Sequence, residues 1–364
     1  MFRNCIFGII IQYIMRHLFF FIVLFSIHYN LAQDSPPNII LMIGDGMGLT
    51  QISSGMYSNG NKTALESFEY VGLSKTHALD KLVTDSAASG TAMACGVKTY
   101  NGVIGIDGKN KSHTSILELY IQKGYSSGLV VTSSVVHATP ASFYAKVTSR
   151  YLYEKIAFQL SEHNLNLFVG GGEKHFVKRK DKRNLISEMN DYEFVNTIEE
   201  FKNSKANKIG FLTYDDEPPS LLEGRKPPLN QLVDISLEKM NFKNKPFFLL
   251  IEGSQIDWGG HDNKLNYVTS EFIEFNKTIK TVIDFAKNDG NTLVIVTADH
   301  ETGGLAITKG NLNKSRVFGR FNTKHHSATM VPVFSYGPQS ELFTGIYENT
   351  AIFEKMHLAF LEKK

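Results

Sequence analysis

Six short, continuously apolar segments constrain the fold of this chain more than any other feature. Apolar residues follow one another in these segments without polar alternation, so the pattern predicts strands that are covered on both faces of a sheet. Such segments run into glycines or polar loops at their ends. They are residues 38–43, 128–132, 167–169, 247–251, 292–297 and 331–335.

Helical patterns lie between these predicted strands. Strands that alternate with helices indicate an α/β fold, with a large, mostly parallel central sheet and helices on both of its faces. In such sheets a functional site forms beyond the carboxyl ends of the strands. Asp45, Glu252, Asp299 and His300 all come at or just after the ends of apolar segments, so we expect them to lie close together. The predicted helices are residues 86–95, 115–123, 151–163, 229–240, 266–287 and 349–361.

The first 33 residues differ from the rest and predict a secretory signal peptide. Residues 18–27 (LFFFIVLFSI) are unbroken apolar, with a basic residue just before them and small or polar residues after them. This run is shorter than the roughly 20 residues that a membrane-spanning helix needs, which argues against a membrane anchor. Both Met1 and Met15 remain candidate start positions, because the chain from Met15 onward already contains every part of such a signal. We therefore expect an exported protein, periplasmic or secreted, with no stable membrane anchor.

The remaining chain fits one large domain over residues 38–362, with a more polar peripheral excursion at about 174–228. Hydrophobic residues make up 42% of the sequence, which is enough for a substantial core. The 38 Lys and Arg residues nearly balance the 36 Asp and Glu residues, which argues against nucleic acid as a partner. Cys5 lies in the predicted signal, so only Cys95 would remain and no internal disulfide could form. We expect Cys95 to be a small core residue.

A segment of small residues at 84–92 (TDSAASGTA) predicts a helix with Ser86 at its N-terminus. Free backbone N–H groups and the helix dipole favour an anion at such a position. A serine there can act as a nucleophile if a metal stabilises its alkoxide. Taken alone, the pattern is more typical of a plain serine N-cap on a tightly packed helix.

Carboxylate and imidazole side chains recur near the ends of the predicted strands. Within residues 252–261 (EGSQIDWGGH), Asp257 and His261 are four positions apart, so they share a face if the segment is helical. Carboxylates and imidazoles together are ligands that zinc accepts. Each residue alone could be a surface carboxylate or a hydrogen-bonded core histidine, but their shared location favours a metal site. The other members are Asp45, Glu252, Asp299, His300 and His326.

At this point the sequence resembles the alkaline phosphatase family. The resemblance rests on several blocks that occur in the family's order through most of the chain, and together they are far more specific than any one of them. It implies an alkaline phosphatase-like three-layer sandwich. The blocks are IGDGMG (43–48), TDSAASGTA (84–92), HATPASFYAKVTSR (137–150), EGSQIDWGGH (252–261), VTADHETGG (296–304) and HSATMVPVFSYGP (326–338).

The resemblance implies three metal sites, two for Zn²⁺ and one for Mg²⁺. One zinc would be held by Asp257, His261 and His326, where the spacing to the YGP sequence favours His326 over its neighbour His325. The remaining ligand sets are Asp45, Asp299 and His300 for the second zinc, and Asp45, Thr139 and Glu252 for the magnesium.

The resemblance also implies the chemistry of phosphate monoester hydrolysis. Ser86 would attack phosphorus and form a phosphoserine, and Arg150 would clamp two phosphate oxygens through its planar guanidinium group. His137 and Trp258 stand where some relatives carry Asp and Lys. We expect these two residues to line the substrate site beside Arg150 and to weaken the magnesium site, because an acidic neighbour is lost.

The chain has only a short polar stretch between Thr308 and His325, where larger relatives place an extra subdomain that contributes to their dimer interface. A homodimer is therefore only a family expectation.

The closest alternative function is a phosphodiesterase or nucleotide pyrophosphatase on the same fold, although Arg150, Thr139 and Glu252 favour monoesters. A sulfatase is disfavoured because residues 85–89 (DSAAS) lack the Pro and Arg of a C/S-x-P-x-R motif. A cytoplasmic phosphoglycerate mutase conflicts with the leader. A non-catalytic metal- or phosphate-binding protein would not need both Ser86 and Arg150.

Overall fold

A computed structural model describes residues 36–241 and 245–361, and the predicted signal peptide at residues 1–33 lies outside them. Internal contacts divide the chain into two units. Residues Pro37–Ala359 form one compact unit. The other unit, Met1–Pro36 with Phe360–Lys364, lies almost entirely outside the described ranges. Every helix in those ranges is too short or too polar to cross a membrane.

A ten-stranded sheet forms the centre of the compact unit, in the order β14-β2-β13-β8-β1-β7-β3-β4-β6-β5. Only β13 runs antiparallel to its neighbours, so the predicted mostly parallel sheet is confirmed. Two further pairs, β10–β11 and β9–β12, form separate two-stranded ribbons. The strands are β1 (Asn38–Gly44), β2 (Tyr70–Lys75), β3 (Ser126–Ser134), β4 (Leu167–Gly171), β5 (Glu193–Phe194), β6 (Ile209–Leu212), β7 (Phe247–Gly253), β8 (Thr292–Thr297), β9 (Glu301–Thr302), β10 (Ala306–Asn311), β11 (Arg316–Arg320), β12 (His326–Ser327), β13 (Val331–Tyr336) and β14 (Gly345–Glu348).

Helices cover both faces of this sheet, as the sequence predicts. Alternate strand residues point to opposite faces. Ile40 and Leu249 therefore pack into a cluster with Phe272 of the longest helix, whereas the Phe248 ring contacts Tyr120 from the other side. The helices are α1 (Leu49–Ser58), α2 (Ser86–Cys95), α3 (Ile116–Gln122), α4 (Ala138–Ala141), α5 (Tyr153–Glu162), α6 (Lys174–Val177), α7 (Leu185–Glu188), α8 (Ile198–Asn203), α9 (Leu229–Asn241), α10 (Gln255–His261), α11 (Leu265–Asp289) and α12 (Thr350–Leu361).

The register of the central strands determines where the polar side chains meet. Ile43 on β1 is paired with Glu252 on β7 and with Thr297 on β8. Because these three strands are parallel, their carboxyl ends lie at the same edge of the sheet. Asp45 and Asp299, which follow β1 and β8, are therefore brought together there. The polar segment at 174–228 extends one end of the sheet, since it supplies β6 and the edge strand β5.

Candidate active site

Asp257, His261 and His326 form a compact group at the carboxyl edge of the sheet. The Nε2 atoms of the two histidines lie 3.1 Å apart. From Asp257, Oδ2 lies 3.3 Å from His261 Nε2 and Oδ1 lies 3.6 Å from His326 Nε2. Their ligand atoms are close enough together to hold one metal ion. His325 is exposed, and it is His326 that points into the group.

Two backbone carbonyls orient these imidazoles. His261 Nδ1 donates to the Lys324 carbonyl at 2.6 Å, and His326 Nδ1 donates to the Thr84 carbonyl at 2.8 Å. A ring that donates from Nδ1 keeps the Nε2 lone pair available, which is the form of histidine that binds a metal. Asp257 raises the pKa of His261 to about 9 through its hydrogen bond. A proton therefore competes with a cation for this nitrogen.

A second group contains Asp45, Asp299 and His300. His300 Nε2 lies 3.1 Å from Asp299 Oδ2 and 3.6 Å from Asp45 Oδ1. The other oxygen of Asp299 accepts hydrogen bonds from the backbone N–H groups of Gly46 (3.1 Å) and His300 (3.0 Å), so only Oδ2 remains for another partner. By ligand-atom spacing, Asp45 and His300 also form a group with Asp257, which places the two groups side by side.

Ser86 is the first residue of α2 and lies against the second group. Its Oγ is 3.5 Å from Asp45 Oδ2 and 3.4 Å from His300 Nε2, and the residue is 2% exposed. The N-cap is Asp85, whose carboxylate accepts a hydrogen bond from the Ala88 N–H. Ser86 is therefore not the helix cap, and its hydroxyl faces the carboxylates at the positive end of the helix dipole.

Glu252 lies close to Asp45, since the two carboxylates belong to one candidate metal group. Ser133 and Ser254 donate to Glu252 Oε2 at 3.2 and 2.7 Å, whereas Oε1 has no hydrogen-bond partner within residues 36–241 and 245–361. The Thr139 hydroxyl is also buried and has no hydrogen-bond partner among these described residues. His137 completes a possible ligand group with Asp45 and Glu252. The centres of the His137 and Trp258 rings lie 6.2 Å apart, and the two rings are arranged edge to face.

The unpaired buried oxygens fit bound cations. Asp45, Glu252 and Asp299 are fully buried, and each has one oxygen without a hydrogen-bond partner in the part of the chain that the structure describes. Burial, together with the charges of Asp299, Asp257 and Glu252, raises the pKa of Asp45 well above its usual value. Buried carboxylates of like charge are strongly unfavourable unless something compensates them. Divalent cations coordinated by these oxygens would supply that compensation.

Arg150 is linked to this cluster through His137, which forms a group with Asp45 and Glu252. Its Nη1 donates to Asp85 Oδ2 at 3.1 Å, and its Nη2 donates to His137 Nε2 at 3.2 Å. Burial and the neighbouring guanidinium lower the pKa of His137 to about 3, so its ring is a neutral hydrogen-bond acceptor. The Arg150 guanidinium is thus held in place by Asp85, the residue before Ser86, and by the ring of His137.

Glu301 and its hydrogen-bond partners are the part of the site that the sequence analysis missed. Glu301 is 3% exposed, and its carboxylate accepts hydrogen bonds from Gln51 Nε2 (2.6 Å), from the Ser327 hydroxyl and from the backbone of Gly304 and Leu305. It therefore joins three ligand-bearing segments: the one after Asp45, the one after His300 and the one at His326. In the sequence, the only indication of this role is that Glu301 directly follows Asp299 and His300.

A family model and two sequence relatives all carry the description alkaline phosphatase. The family model described as "Alkaline phosphatase" matches residues 37–320. Alkaline phosphatase 3 of Bacillus subtilis is 33% identical, with 88% of each chain covered. Alkaline phosphatase 4 of the same organism is 41% identical over 74% of this chain and 62% of its own length.

Solved structures agree with these sequence relatives. The alkaline phosphatase of the Antarctic bacterium TAB5 superimposes with a TM-score of 0.85 at 41% identity, covering 91% of this chain and all of that one. A variant of that enzyme, in which one histidine is replaced by aspartate, has the same coverage, identity and TM-score and was solved with Mg bound in its M3 site.

Proposed function

The chain belongs to the alkaline phosphatase family, and from this we propose that the clustered carboxylates and imidazoles, with Ser86 and Arg150, are its catalytic centre. It is an enzyme that hydrolyses phosphate monoesters. The observation that carries the assignment of the centre is the Ser86 hydroxyl. It lies 3.5 Å from Asp45 Oδ2 and 3.4 Å from His300 Nε2, at the N-terminus of a helix.

The donor set of the two adjoining groups favours zinc, because it combines imidazole nitrogens with carboxylate oxygens. We assign one ion to Asp257, His261 and His326, and the other to Asp45, Asp299 and His300. Two such ions would neutralise the phosphate dianion, and they would favour the ionised form of the hydroxyl.

The bond-forming and phosphate-binding roles in the reaction belong to side chains of the protein. Ser86 loses its hydroxyl proton to solvent, and its Oγ forms a bond to phosphorus while the bond from phosphorus to the ester oxygen breaks. The alcohol leaves with a proton from solvent. Water then cleaves the phosphoserine, which releases phosphate and restores the hydroxyl. Arg150 donates to two phosphate oxygens throughout, and Asp85 and His137 hold its guanidinium group in position.

A comparison of two matched esters tests this function. We expect purified protein supplied with Zn²⁺ and Mg²⁺ to hydrolyse phenyl phosphate at least a hundred times faster than diphenyl phosphate. The reason is that Arg150 and the buried ligand groups match a dianion better than a monoanion. A preference for the diester would instead assign the chain to the phosphodiesterase branch of the fold.

The arginine clamp gives a separate prediction. We expect Arg150→Ala to raise the inhibition constant of inorganic phosphate and to lower kcat/KM by about 10–100-fold, because charge-assisted hydrogen bonds are lost. Metal content, measured by mass spectrometry, should not change. Arg183→Ala is a matched control, since Arg183 is exposed and pairs with Glu188. Parallel loss of metal and activity would give Arg150 a structural role.

The third group gives a prediction about metal identity. We propose that Asp45, Thr139 and Glu252 form a weak Mg²⁺ site, weakened because His137 replaces an acidic ligand. His137→Asp should tighten Mg²⁺ binding to the zinc-loaded protein by tenfold or more, because Mg²⁺ prefers carboxylate oxygen. The Mg-bound variant of the TAB5 enzyme supports this expectation. Calorimetric titration measures the effect, and equal tightening in the control variant His137→Asn would contradict it.

Export and dimerisation remain proposals. Residues 1–33 have the pattern of a cleaved signal, and export to the periplasm or medium would follow from it. Exposed apolar side chains at Leu79, Leu82 and Tyr100, in loops near Ser86, support a homodimer. Sedimentation at micromolar concentration would measure the oligomeric state.

A further inference from the structure

The ribbon formed by β10 and β11 has an unusual distribution of charge. Between Thr302 and Glu341 the chain contains no Asp or Glu. The whole sequence, by contrast, has nearly balanced charges, with a formal net charge of +2. Five basic residues lie in this acid-free segment. They are Lys309, Lys314, Arg316, Arg320 and Lys324. We refer to residues 306–324 as the basic ribbon.

The basic side chains are solvent exposed. Along β11, Arg316, Phe318 and Arg320 are exposed, whereas the residues between them are partly buried. These three side chains therefore lie on one face. Lys309 pairs with Phe318 across the ribbon, so it belongs to the same face.

The charges of this face are not neutralised locally. Within residues 36–241 and 245–361, the ion pairs involve none of the five basic residues. The Arg316 guanidinium instead lies 4.7 Å from the centre of the Phe318 ring, a contact that orients it without removing its charge.

The basic ribbon is joined directly to the candidate active site. It begins shortly after β9 and ends just before β12, and these two short strands carry Thr302 opposite His326. At its base, the Gly303 carbonyl accepts from the backbone N–H groups of Asn322 and Thr323. The Lys324 carbonyl accepts from His261 Nδ1. The row of charges therefore starts beside the proposed metal ligands and extends for roughly 20 Å along the ribbon.

We propose that the basic ribbon binds a second phosphate group of the substrate, remote from the one that Ser86 attacks. The preferred substrates are then phosphate monoesters whose leaving group carries another phosphate. Arginine is suited to this task because its planar group donates two parallel hydrogen bonds to phosphate. The uncompensated charge would also attract such substrates at long range. The inference rests on the proposed function, since it extends the same site.

A substrate series measures this directly. Alkanediol bisphosphates of increasing chain length are compared with alkyl monophosphates of the same length, so that the reacting ester stays constant. We expect kcat/KM, corrected for the two equivalent ends, to be about 3–10-fold higher for bisphosphates long enough to reach the ribbon. The preference should decline as ionic strength rises, because the charges are exposed.

A charge-neutral variant identifies the surface. In Lys309→Gln/Arg316→Gln/Arg320→Gln the preference should vanish, while turnover of the monophosphate stays unchanged. The control Lys277→Gln/Lys280→Gln/Lys287→Gln makes the same change in net charge on α11, at exposed positions. A preference that persists in the ribbon variant, or is lost equally in the control, would overturn the proposal.

A binding measurement separates this inference from the proposed function. Metal-loaded Ser86→Ala protein should bind the bisphosphate more tightly than the monophosphate, and the three ribbon substitutions should abolish the difference. If wild-type protein fails to hydrolyse the monophosphate, the proposed function is wrong, whereas the binding difference still decides the role of the ribbon. Equal affinities for the two ligands would exclude the second phosphate site.

Discussion

Ser86→Ala is expected to reduce turnover of a phosphate monoester by about 10⁴-fold or more, because no other hydroxyl replaces the nucleophile. Ser86 Oγ lies against both Asp45 and His300, so the substitution removes the attacking atom and leaves the surrounding carboxylates in place. Metal content should remain at the wild-type level. Rapid quenching with labelled substrate should show a phosphorylated serine in the wild type and none in the variant.

A conservative control makes this result specific. Ser53→Ala removes a hydroxyl that donates only to the Leu49 carbonyl on α1, and it should leave turnover unchanged. Label recovered on any other residue of the wild type would refute the assignment of Ser86. Loss of metal from Ser86→Ala would assign the hydroxyl to binding and not to chemistry.

Removal of metal by a chelator is expected to abolish measurable turnover and to lower the melting temperature by about 5–10 °C. Without cations, the buried carboxylates of Asp45, Glu252 and Asp299 repel one another in a region that excludes water. Zn²⁺ added back should restore both activity and stability. Calorimetry and metal analysis on the same samples provide the measurement.

Two other results would each contradict a different part of this prediction about metal removal. An unchanged melting temperature would mean that the ligand groups tolerate the absence of cations, contrary to the argument from unpaired buried oxygens. Restoration by Mg²⁺ alone would contradict zinc at the two imidazole-containing groups, because Mg²⁺ prefers oxygen ligands.

The central strands could be predicted from the sequence because they are buried on both faces. The apolar runs of β1, β7 and β8 therefore have no polar alternation, and α2 begins and ends at the predicted residues 86 and 95. By contrast, α1 was missed, because its buried residues include Gln51, Ser54 and Gly55, and an apolar period cannot reveal them. Strand β2 was missed because only two of its six residues are buried, so it has no continuous apolar run.

The proximity of the candidate ligand residues could be predicted from the sequence, but the contacts that support them could not. The spacing of Asp257 and His261 predicts a shared helical face, and α10 provides it. The pairing of His326 with Thr302 joins two-residue strands that are far apart in the chain, and local patterns carry no information on such a register. The same holds for Glu301, whose role depends on partners from three segments.

The hydrogen bond from His326 to the Thr84 carbonyl has a thermodynamic consequence. Thr84 lies two residues before Ser86, so the imidazole of one proposed metal group and the loop of the proposed nucleophile share a contact. Ion occupancy at Asp257, His261 and His326 and order in that loop must then favour each other reciprocally. Any substitution that loosens residues 83–85 should therefore weaken ion binding by a group to which it contributes no ligand.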